Sequence, residues 1–382
     1  MSARLSILIY SQALSGVGHY VRSFEIARAL AHRHEVQLVD GGRRVPRAAD
    51  HEVRRLVLPR VIRAPSGIEP LEGTGNLAQV LTERSARLRE AVAALRPQVL
   101  IIEHFPFSKW DLEAEIMAVV AAARAARPQV LVVCSLRDIV RQTRFEQCAA
   151  GNYAAEVQRR LERDFDAIMV HGEERLTPLS ASFPSAAALR MPLYYTGIVA
   201  EAPAPPVSSS APYVLVSCGG GADPMNLRAA VAAALATPQL RHLQLVVCRG
   251  LVSAPAATAT PWLERPFGSD FIAWLAGASL SVSYAGYNTC ANLLATRRRA
   301  LLAVHPAMSD QPERARIMTA LGAAQVISAP EWGPQKLAAS MLSVLAAPRP
   351  EVNISLSGAA QSAALIEELW DRRLSVRRLG TS

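Results

Sequence analysis

The chain has 382 residues, enough for two domains of ordinary size, and 51% of the residues are hydrophobic while 5% are aromatic. The formal charge is +9, and all but two of the 41 basic residues are arginine, a side chain that favours phosphate and carboxylate partners. Because the arginines are spread along the chain without interleaved aromatic residues, we expect no nucleic-acid partner.

Two further classes of protein are disfavoured by the hydrophobic pattern. No uncharged apolar run reaches about 18 residues, so no membrane-spanning helix is expected. The apolar stretch at the N-terminus is too short for a signal peptide and is typical of a first strand.

The five cysteines contain no CxxC pair and lie mostly in apolar runs, which predicts buried thiols in a reducing cytoplasm.

The first half of the chain alternates between strand and helix patterns. Strand 5–10 leads through a glycine-containing segment into helix 21–32 and then strand 35–40. Gly16 and Gly18 do not fit GxGxxG, because no glycine stands at position 21, and a dinucleotide site is therefore disfavoured. Helices are predicted at 77–95, 112–126 and 153–165, and each leads into a strand, at 98–102, 130–135 and 167–170.

Polar side chains collect at the carboxyl ends of these predicted strands, where open α/β sheets bind ligands. The residues are His19, Glu103, His104, Arg137, Asp138 and His171. His19, directly after Gly18, is a candidate base for an attacking hydroxyl, and Arg22 on the same helix face is a candidate ligand for a phosphate or carboxylate. The alternative for His19 is a capping or hydrogen-bonded surface histidine.

The second half restarts the same pattern after a segment rich in proline and serine. Strands are predicted at 213–217, 244–247, 299–304 and 324–327, and helices at 225–235, 270–276, 312–321, 335–345 and 359–373. The predicted fold class is α/β, with two Rossmann-like domains facing across a cleft. The predicted divisions are an N-terminal domain (1–200), a linker (201–212), a second domain (213–350) and a C-terminal helix that packs back toward the first domain (351–382).

Two glycine turns in the second half are candidate anion sites. Segment 281–294 reads as a strand that turns at Gly286 into a helix, whose first N–H groups favour an anion, with Tyr287, Asn288 and Thr289 adding hydrogen bonds. A second turn, Gly219, Gly220 and Gly221, follows strand 213–217. Two such turns fit a nucleotide diphosphate. The alternatives are an ordinary helix cap and a tight structural turn.

Several motifs are missing from the sequence. There is no GxxxxGK[ST], no GxSxG and no cluster of residues with metal-ligand spacing. A P-loop enzyme, an α/β-hydrolase and a metal site are therefore not expected.

The motifs together resemble the GT-B glycosyltransferases, in the branch related to the UDP-GlcNAc transferase of lipid II synthesis. The resemblance rests on segments spread in order over most of the chain: 10–22, 135–139, 165–172, 195–197, 216–221, 267–274, 283–289, 310–311 and 313–315. It implies that 1–200 binds the acceptor and 213–350 binds the nucleotide sugar. It also implies inverting transfer without a metal or other cofactor, with His19 near the reacting centre. The donor is expected to be UDP-linked.

The resemblance also implies the donor contacts. Gly219 to Gly221 would lie by the acceptor or the diphosphate, and 286–289 would contact the diphosphate. Phe267 would lie beside the base, and Asp310 and Gln311 would bind sugar hydroxyls. Relatives usually carry a ribose-binding glutamate where this chain has Asn292, an amide that accepts through one oxygen only.

Three other interpretations remain open at this point. The same base could activate water, which would make the protein a nucleotide-sugar hydrolase. The missing ribose carboxylate favours a catalytically inactive nucleotide-sugar-binding protein. Arginines in 54–63 and 77–95 would suit a peripheral contact with the inner face of a membrane, although a solvated charged face explains them too.

Overall fold

A computed structural model of the protein describes residues 4–43, 50–72, 76–141, 152–219, 223, 225–250, 262–328 and 332–380. These residues divide into two compact units. The first extends to Val199 and resumes from Ser357 onward, and the second runs from Ala200 to Leu356.

The strands and helices of the described residues follow in chain order. The strands are β1 (Ser6–Ser11), β2 (Glu35–Asp40), β3 (Arg54–Val57), β4 (Val61–Ala64), β5 (Gly67–Pro70), β6 (Val99–Glu103), β7 (Leu131–Arg137), β8 (Ala167–His171), β9 (Leu193–Tyr195), β10 (Tyr213–Ser217), β11 (Gln244–Arg249), β12 (Leu263–Pro266), β13 (Leu280–Tyr284), β14 (Ala300–Ala303) and β15 (Gln325–Ile327). The helices are α1 (Gly18–Ala31), α2 (Leu77–Leu95), α3 (Glu113–Ala126), α4 (Tyr153–Asp164), α5 (Leu179–Ser182), α6 (Leu227–Leu235), α7 (Phe271–Gly277), α8 (Tyr287–Thr296), α9 (Gln311–Ala320), α10 (Pro334–Ala346) and α11 (Gly358–Gly380).

The first unit is built on a seven-stranded sheet in the order β3-β2-β1-β6-β7-β8-β9, and all of its neighbouring strands are parallel. Alternate residues of β1 enter two different cores: Leu8 and Tyr10 join one, and Ile7 and Ile9 join the other. Both faces of the sheet are therefore covered, which explains why its central strands read as continuous apolar runs.

Helix α11 belongs to the first unit although it lies at the other end of the chain. Its Ile366, Leu369 and Trp370 are buried in the same core as Phe24 of α1. Glu367 adds an ion pair with Arg33, in which Oε2 lies 2.8 Å from Nη1.

The second unit carries a six-stranded parallel sheet in the order β12-β11-β10-β13-β14-β15. Strand β10 pairs with β13, with Ser217 opposite Ser283. The residues that follow these two strands therefore emerge at the same edge of the sheet, and this edge holds the second group of candidate site residues.

The predicted fold class is confirmed in its two Rossmann-like α/β domains. Strands β3, β4, β5, β9 and β12 were not predicted from the sequence, because these strands are short and β3 carries two arginines instead of an apolar run. Cys134, Cys218, Cys248 and Cys290 are free thiols, and Cys148 lies outside the described residues. Within the described part of the chain, no helix has the length and hydropathy needed to span a bilayer.

Candidate functional site

In the first unit, the candidate residues meet because β1 and β6 are neighbours. The register pairs Tyr10 with Ile102, so the turn into α1 and the end of β6 lie side by side. His19 stands in the first turn of α1 and Glu103 is the last residue of β6. Nδ1 of His19 lies 2.6 Å from Oε1 of Glu103.

The Glu103 carboxylate also has two cationic partners. Arg22 donates from Nη2 to Oε1, the oxygen that His19 contacts, and Nζ of Lys109 lies 3.3 Å from Oε2. Burial by itself raises the pKa of Glu103, but His19, Lys109 and Arg22 outweigh it and hold that pKa well below its usual value. The carboxylate is therefore ionised and can only accept hydrogen bonds.

The ionised carboxylate determines the tautomer of His19. Since Glu103 can only accept, Nδ1 of His19 carries the proton and Nε2 keeps its lone pair. Burial lowers the pKa of His19 to about 3, against the opposing effect of Glu103, so the ring is neutral at physiological pH. The side chain is still 24% exposed, which leaves part of the ring within reach of a ligand. A neutral imidazole with an oriented lone pair can accept a proton from a bound ligand.

His104 lies beside this pair in a strained backbone conformation. Its φ is +66°, its Nδ1 lies 2.9 Å from Oγ of Ser108, and its ring stands edge-on to that of His19 with 5.3 Å between centroids. Burial lowers its pKa well below the ordinary value. Within the described residues Nε2 of His104 has no hydrogen-bond partner. A left-handed non-glycine residue and an unpaired buried nitrogen both indicate a functional position.

Lys109 was not among the predicted site residues, although the sequence offered a signal, because it is one of only two lysines in the chain. Its Nζ also donates to the backbone oxygen of Gln12. The Gln12 side chain accepts from Nη2 of Arg84 at 3.1 Å, and Arg84 is paired in turn with Glu115 at 2.7 Å. A buried polar network therefore supports the cation that neighbours Glu103.

Asp138 and His171 are both buried in the first unit and have different hydrogen-bond partners. Asp138 is buried, and its Oδ1 accepts from the backbone N–H of Ile139 at 2.8 Å. His171 is fully buried, with Nε2 2.7 Å from Oγ of Ser135 and Nδ1 2.8 Å from Oγ1 of Thr196. Both ring nitrogens of His171 are satisfied internally, which indicates a structural role.

In the second unit, the turn between β13 and α8 has the features of an anion site. Gly286 is the N-cap of α8 with φ −73° and ψ 154°, and it provides no side-chain cap for the first N–H groups of the helix. A Cβ added at Gly286 would lie 3.7 Å from Oγ1 of Thr289, its nearest neighbour. Neither the backbone conformation nor packing against the residues that the structure describes requires glycine there, and close approach of a ligand would explain it.

The three predicted residues after Gly286 differ in exposure. Tyr287 is 7% exposed and its ring centroid lies 5.9 Å from Cζ of Arg314, so it can offer a ligand its backbone more readily than its side chain. Asn288 and Thr289 are half-buried in the first turn of α8.

Gly219 follows β10 at the same edge of the sheet. Its φ is +68°, and a Cβ placed there would meet no atom of the described residues within 4 Å. Gly220 and Gly221 lie outside the described residues. Asp223 links this segment to the neighbouring strand, because its Oδ1 accepts from the Tyr284 hydroxyl at 2.9 Å. Burial works to raise the pKa of Asp223, but hydrogen bonds from Leu227 and Arg228 outweigh that effect and lower it.

The predicted sugar-binding pair, Asp310 and Gln311, begins α9. Both side chains are at least nine-tenths buried. Oδ2 of Asp310 lies 2.9 Å from Nη1 of Arg314, and Oε1 of Gln311 accepts from the backbone N–H of His305 at 2.8 Å. One oxygen of each side chain is therefore engaged within the unit.

Asn292 does not present its amide to solvent. The side chain is 2% exposed, and its Nδ2 donates to Oε1 of Glu201 at 2.8 Å, while Oδ1 accepts from the backbone N–H of Glu201 at 3.4 Å. The ribose contact implied for this position is thus not supported, because both ends of the amide are bonded to Glu201, a residue that the sequence analysis placed in the linker. Phe267 is half-buried after β12, with its ring 5.0 Å from that of Phe271.

No group of three or more histidine, cysteine or carboxylate side chains with a geometry suited to a metal ion occurs among the residues that the structure describes.

No protein-family model matches the chain. A UDP-N-acetylglucosamine–N-acetylmuramyl-(pentapeptide) pyrophosphoryl-undecaprenol N-acetylglucosamine transferase of Methylorubrum extorquens (strain PA1) is 31% identical over 186 residues, which cover 46% of this chain and 50% of that protein. The chain therefore spans about half the length of the curated relatives it matches.

Solved structures match over nearly the whole chain at low identity. The glycotransferase of kitacinnamycin has a TM-score of 0.59 at 16% identity, over 97% of this chain and 99% of that one. The calicheamicin glycosyltransferase has a TM-score of 0.56 at 15% identity, over the same shares. The sequence-based resemblance is confirmed: the chain has the two-domain α/β fold of the GT-B glycosyltransferases and is similar in sequence, over about half its length, to the UDP-N-acetylglucosamine transferases.

Proposed function

We propose that the protein is a glycosyltransferase that moves a sugar from a nucleotide diphosphate sugar, UDP-linked, to an acceptor hydroxyl, with inversion and without a metal. The family resemblance and the activity of the similar transferases support the reaction class. The observation that carries the proposal is the contact between Nδ1 of His19 and Oε1 of Glu103 at 2.6 Å.

In this proposal His19 acts as the general base. Nε2 accepts the proton of the acceptor hydroxyl while the acceptor oxygen forms a bond to the anomeric carbon of the sugar. The bond from that carbon to the diphosphate oxygen breaks, and its electron pair leaves with the nucleotide. Glu103 stabilises the imidazolium that results, as a carboxylate behind a catalytic histidine does. A single displacement of this kind inverts the anomeric configuration.

The departing diphosphate needs positive potential, and the turn at Gly286 supplies it. The first N–H groups of α8 and the positive end of its dipole stabilise the charge that develops on the leaving group. Gly219 in its left-handed conformation adds a second close approach of backbone. In the proposal these donors perform the task that a divalent cation performs in other transferases.

The remaining predicted residues are assigned by unit. Gly18, Arg22, His104 and Asp138 serve the acceptor side, with Arg22 acting mainly on the Glu103 carboxylate. Phe267, Asn288, Thr289, Asp310 and Gln311 serve the donor. Asn292 is assigned to the interior of the second unit, where it binds Glu201.

The test is a turnover assay with a panel of UDP-sugars and candidate acceptors, followed by NMR of the product anomer. His19→Ala should reduce turnover about 10²- to 10⁴-fold, the usual contribution of a general base, while UDP affinity stays the same. His242→Ala, at an exposed histidine, is the matched control. Unchanged turnover in the His19 variant would remove this residue from the mechanism, and a retained anomeric configuration would contradict single displacement.

The same assay tests the two rival functions. Free sugar and nucleotide released without any acceptor would identify a hydrolase, since the His19–Glu103 pair can activate water equally well. An inactive binding protein would bind UDP in calorimetry and release nothing. If no nucleotide binds at all, both enzyme proposals fail.

We also propose that the protein works in the cytoplasm. Six of the seven arginines of 54–63 and 77–95 have acidic neighbours: Arg54 with Glu35, Arg55 with Asp40, Arg60 with Glu72, Arg63 with Asp111, Arg84 with Glu115 and Arg87 with Glu83. The exposed pairs, Arg54 with Glu35 and Arg87 with Glu83, favour a solvated charged face over a membrane-binding patch, whereas Arg84 is buried within its unit. Sedimentation with vesicles of anionic phospholipid at 0.15 M salt tests whether the protein binds a membrane surface. Co-sedimentation would support the peripheral membrane contact instead of the solvated face.

A further inference from the structure

A buried arginine lies behind the turn at Gly286. Arg314 of α9 is 4% exposed, and its Nη1 donates to the backbone oxygen of Ala285 at 3.1 Å and to Oδ2 of Asp310 at 2.9 Å. Its guanidinium also lies against the ring of Tyr287, with 5.9 Å from Cζ to the ring centroid. One side chain from a neighbouring helix therefore contacts the residues on both sides of Gly286.

These contacts fix the peptide that leads into α8. The carbonyl between Ala285 and Gly286 accepts from Arg314, and the N–H of the same peptide donates to the backbone oxygen of Tyr284 at 2.8 Å. Because a peptide group is planar, bonds at both its ends set the orientation of the chain where the helix begins. Gly286 has no side chain with which to do this itself.

Another arginine on the same helix provides a contrast. Arg316 is 65% exposed and pairs only with Glu313, three residues earlier on α9, an ordinary surface contact. Burying Arg314 costs desolvation, and a planar guanidinium that donates to both a carbonyl and a carboxylate makes contacts that a lysine cannot reproduce.

We infer that Arg314 is a positioning residue that holds the N-terminal turn of α8 in the orientation needed to bind the diphosphate of the donor. The identity of that ligand rests on the proposed function, whereas the positioning of the turn by Arg314 does not depend on it. Arg314 acts through the backbone of Ala285 and the ring of Tyr287, so its effect should be confined to the phosphate part of a nucleotide.

The experiment compares Arg314→Lys with Arg316→Lys, both of which retain the positive charge. The first measurement is hydrogen exchange of the amides of Gly286 and Cys290, which donate to the backbone oxygens of Tyr284 and Gly286, in the protein without ligand. The second is the Kd for UDP and for uridine by calorimetry. In Arg314→Lys, exchange at these amides should speed up about tenfold and UDP should bind about tenfold more weakly, a loss of about 1.4 kcal/mol, while uridine affinity is unchanged. Arg316→Lys should match the wild type in every measurement.

Each other outcome overturns the inference in a distinct way. Unchanged exchange rates in Arg314→Lys would refute the role of Arg314 in positioning the turn at Gly286, whether or not any nucleotide binds. Equal weakening of UDP and uridine shows a general structural role in place of phosphate positioning. A wild type that binds neither compound refutes the proposed function and the diphosphate assignment, and exchange alone then decides the role of Arg314 in the turn. If Arg314→Lys fails to fold, Asp310→Asn loosens the same arginine and should give the same pattern at a smaller size.

Discussion

Nζ of Lys109 lies 3.3 Å from Oε2 of Glu103, the carboxylate oxygen opposite the one that His19 contacts. A single carboxylate therefore joins a buried cation to the proposed base. The positive charge of Lys109 favours the neutral form of His19, and it contributes to the low pKa of that ring.

Replacing Lys109 should change the pH dependence of turnover. Burial is the main cause of the low pKa of His19, so Lys109→Met should raise that pKa without restoring its ordinary value. Because activity needs the neutral ring, the fall in kcat/KM as pH decreases should begin at a higher pH in the variant than in the wild type. Lys336→Met, at the only other lysine and on the surface, is the matched control. Identical pH profiles for the wild type and Lys109→Met would contradict the coupling.

The buried histidines should make folding stability depend on pH. Burial lowers the pKa of both His19 and His171 to about 3. Between about pH 6.5 and pH 3 the unfolded chain binds these protons and the folded chain does not, so the free energy of unfolding falls as pH falls. Each group contributes up to about 1.4 kcal/mol per pH unit in this window.

A variant isolates the contribution of His171. Urea denaturation at pH 7.5, 6.0 and 5.0 measures the free energy of unfolding against pH. In His171→Asn this free energy should fall less steeply as pH falls, with a slope smaller by about one bound proton, even if the absolute stability is lower. His242→Asn, at an exposed histidine, should keep the wild-type slope. An unchanged slope in His171→Asn would mean that this ring titrates normally in the folded protein.

Gly286→Ala should weaken UDP binding while leaving folding stability almost unchanged. The backbone at Gly286 has an ordinary φ and its added Cβ would meet nothing closer than 3.7 Å, so stability should change by less than about 1 kcal/mol. UDP affinity should fall about tenfold, because the methyl group occupies the space that the proposed phosphate needs. The matched control is Gly333→Ala, another N-cap glycine, where a Cβ would meet nothing within 4 Å. Wild-type affinity in Gly286→Ala would show that no phosphate lies against this turn.

The Asn292–Glu201 contact predicts a rescue between two variants. Asn292→Glu places two carboxylates in a buried site and should destabilise the second unit by about 3 kcal/mol or more. Adding Glu201→Gln restores one carboxylate opposite one amide with the positions exchanged, and should recover most of that loss. Thermal unfolding of the single and double variants measures the coupling. Additive losses would show that the two side chains do not interact.

Much of the fold could be predicted because its signals are local. The helix predicted at 77–95 has the same bounds as α2, and the strand predicted at 213–217 has the same bounds as β10. Apolar runs and the periodicity of buried positions determine such elements over a few turns of chain. Short strands such as β4 and β9 contain too few residues to establish a period.

The contacts of the candidate site could not be predicted in the same way. His19 and Glu103 are 84 residues apart, and only the pairing of β1 with β6 brings them together. Arg84 reads as part of a charged helix face, yet it is completely buried because Glu115 of the neighbouring helix neutralises it. The sequence thus offered His19 as a candidate base, but it did not reveal the ion pair between Lys109 and Glu103 or the contact of Arg314 with the turn at Gly286.

The discontinuous make-up of the first unit has a consequence for biosynthesis. Trp370 and its neighbours on α11 fill a core shared with α1, although more than 300 residues of chain separate the two helices. A ribosome that has released only the first 200 residues leaves that apolar surface bare, whereas all of 200–356 is available to fold before α11 emerges. The half of the molecule that is translated first is therefore expected to complete its core last.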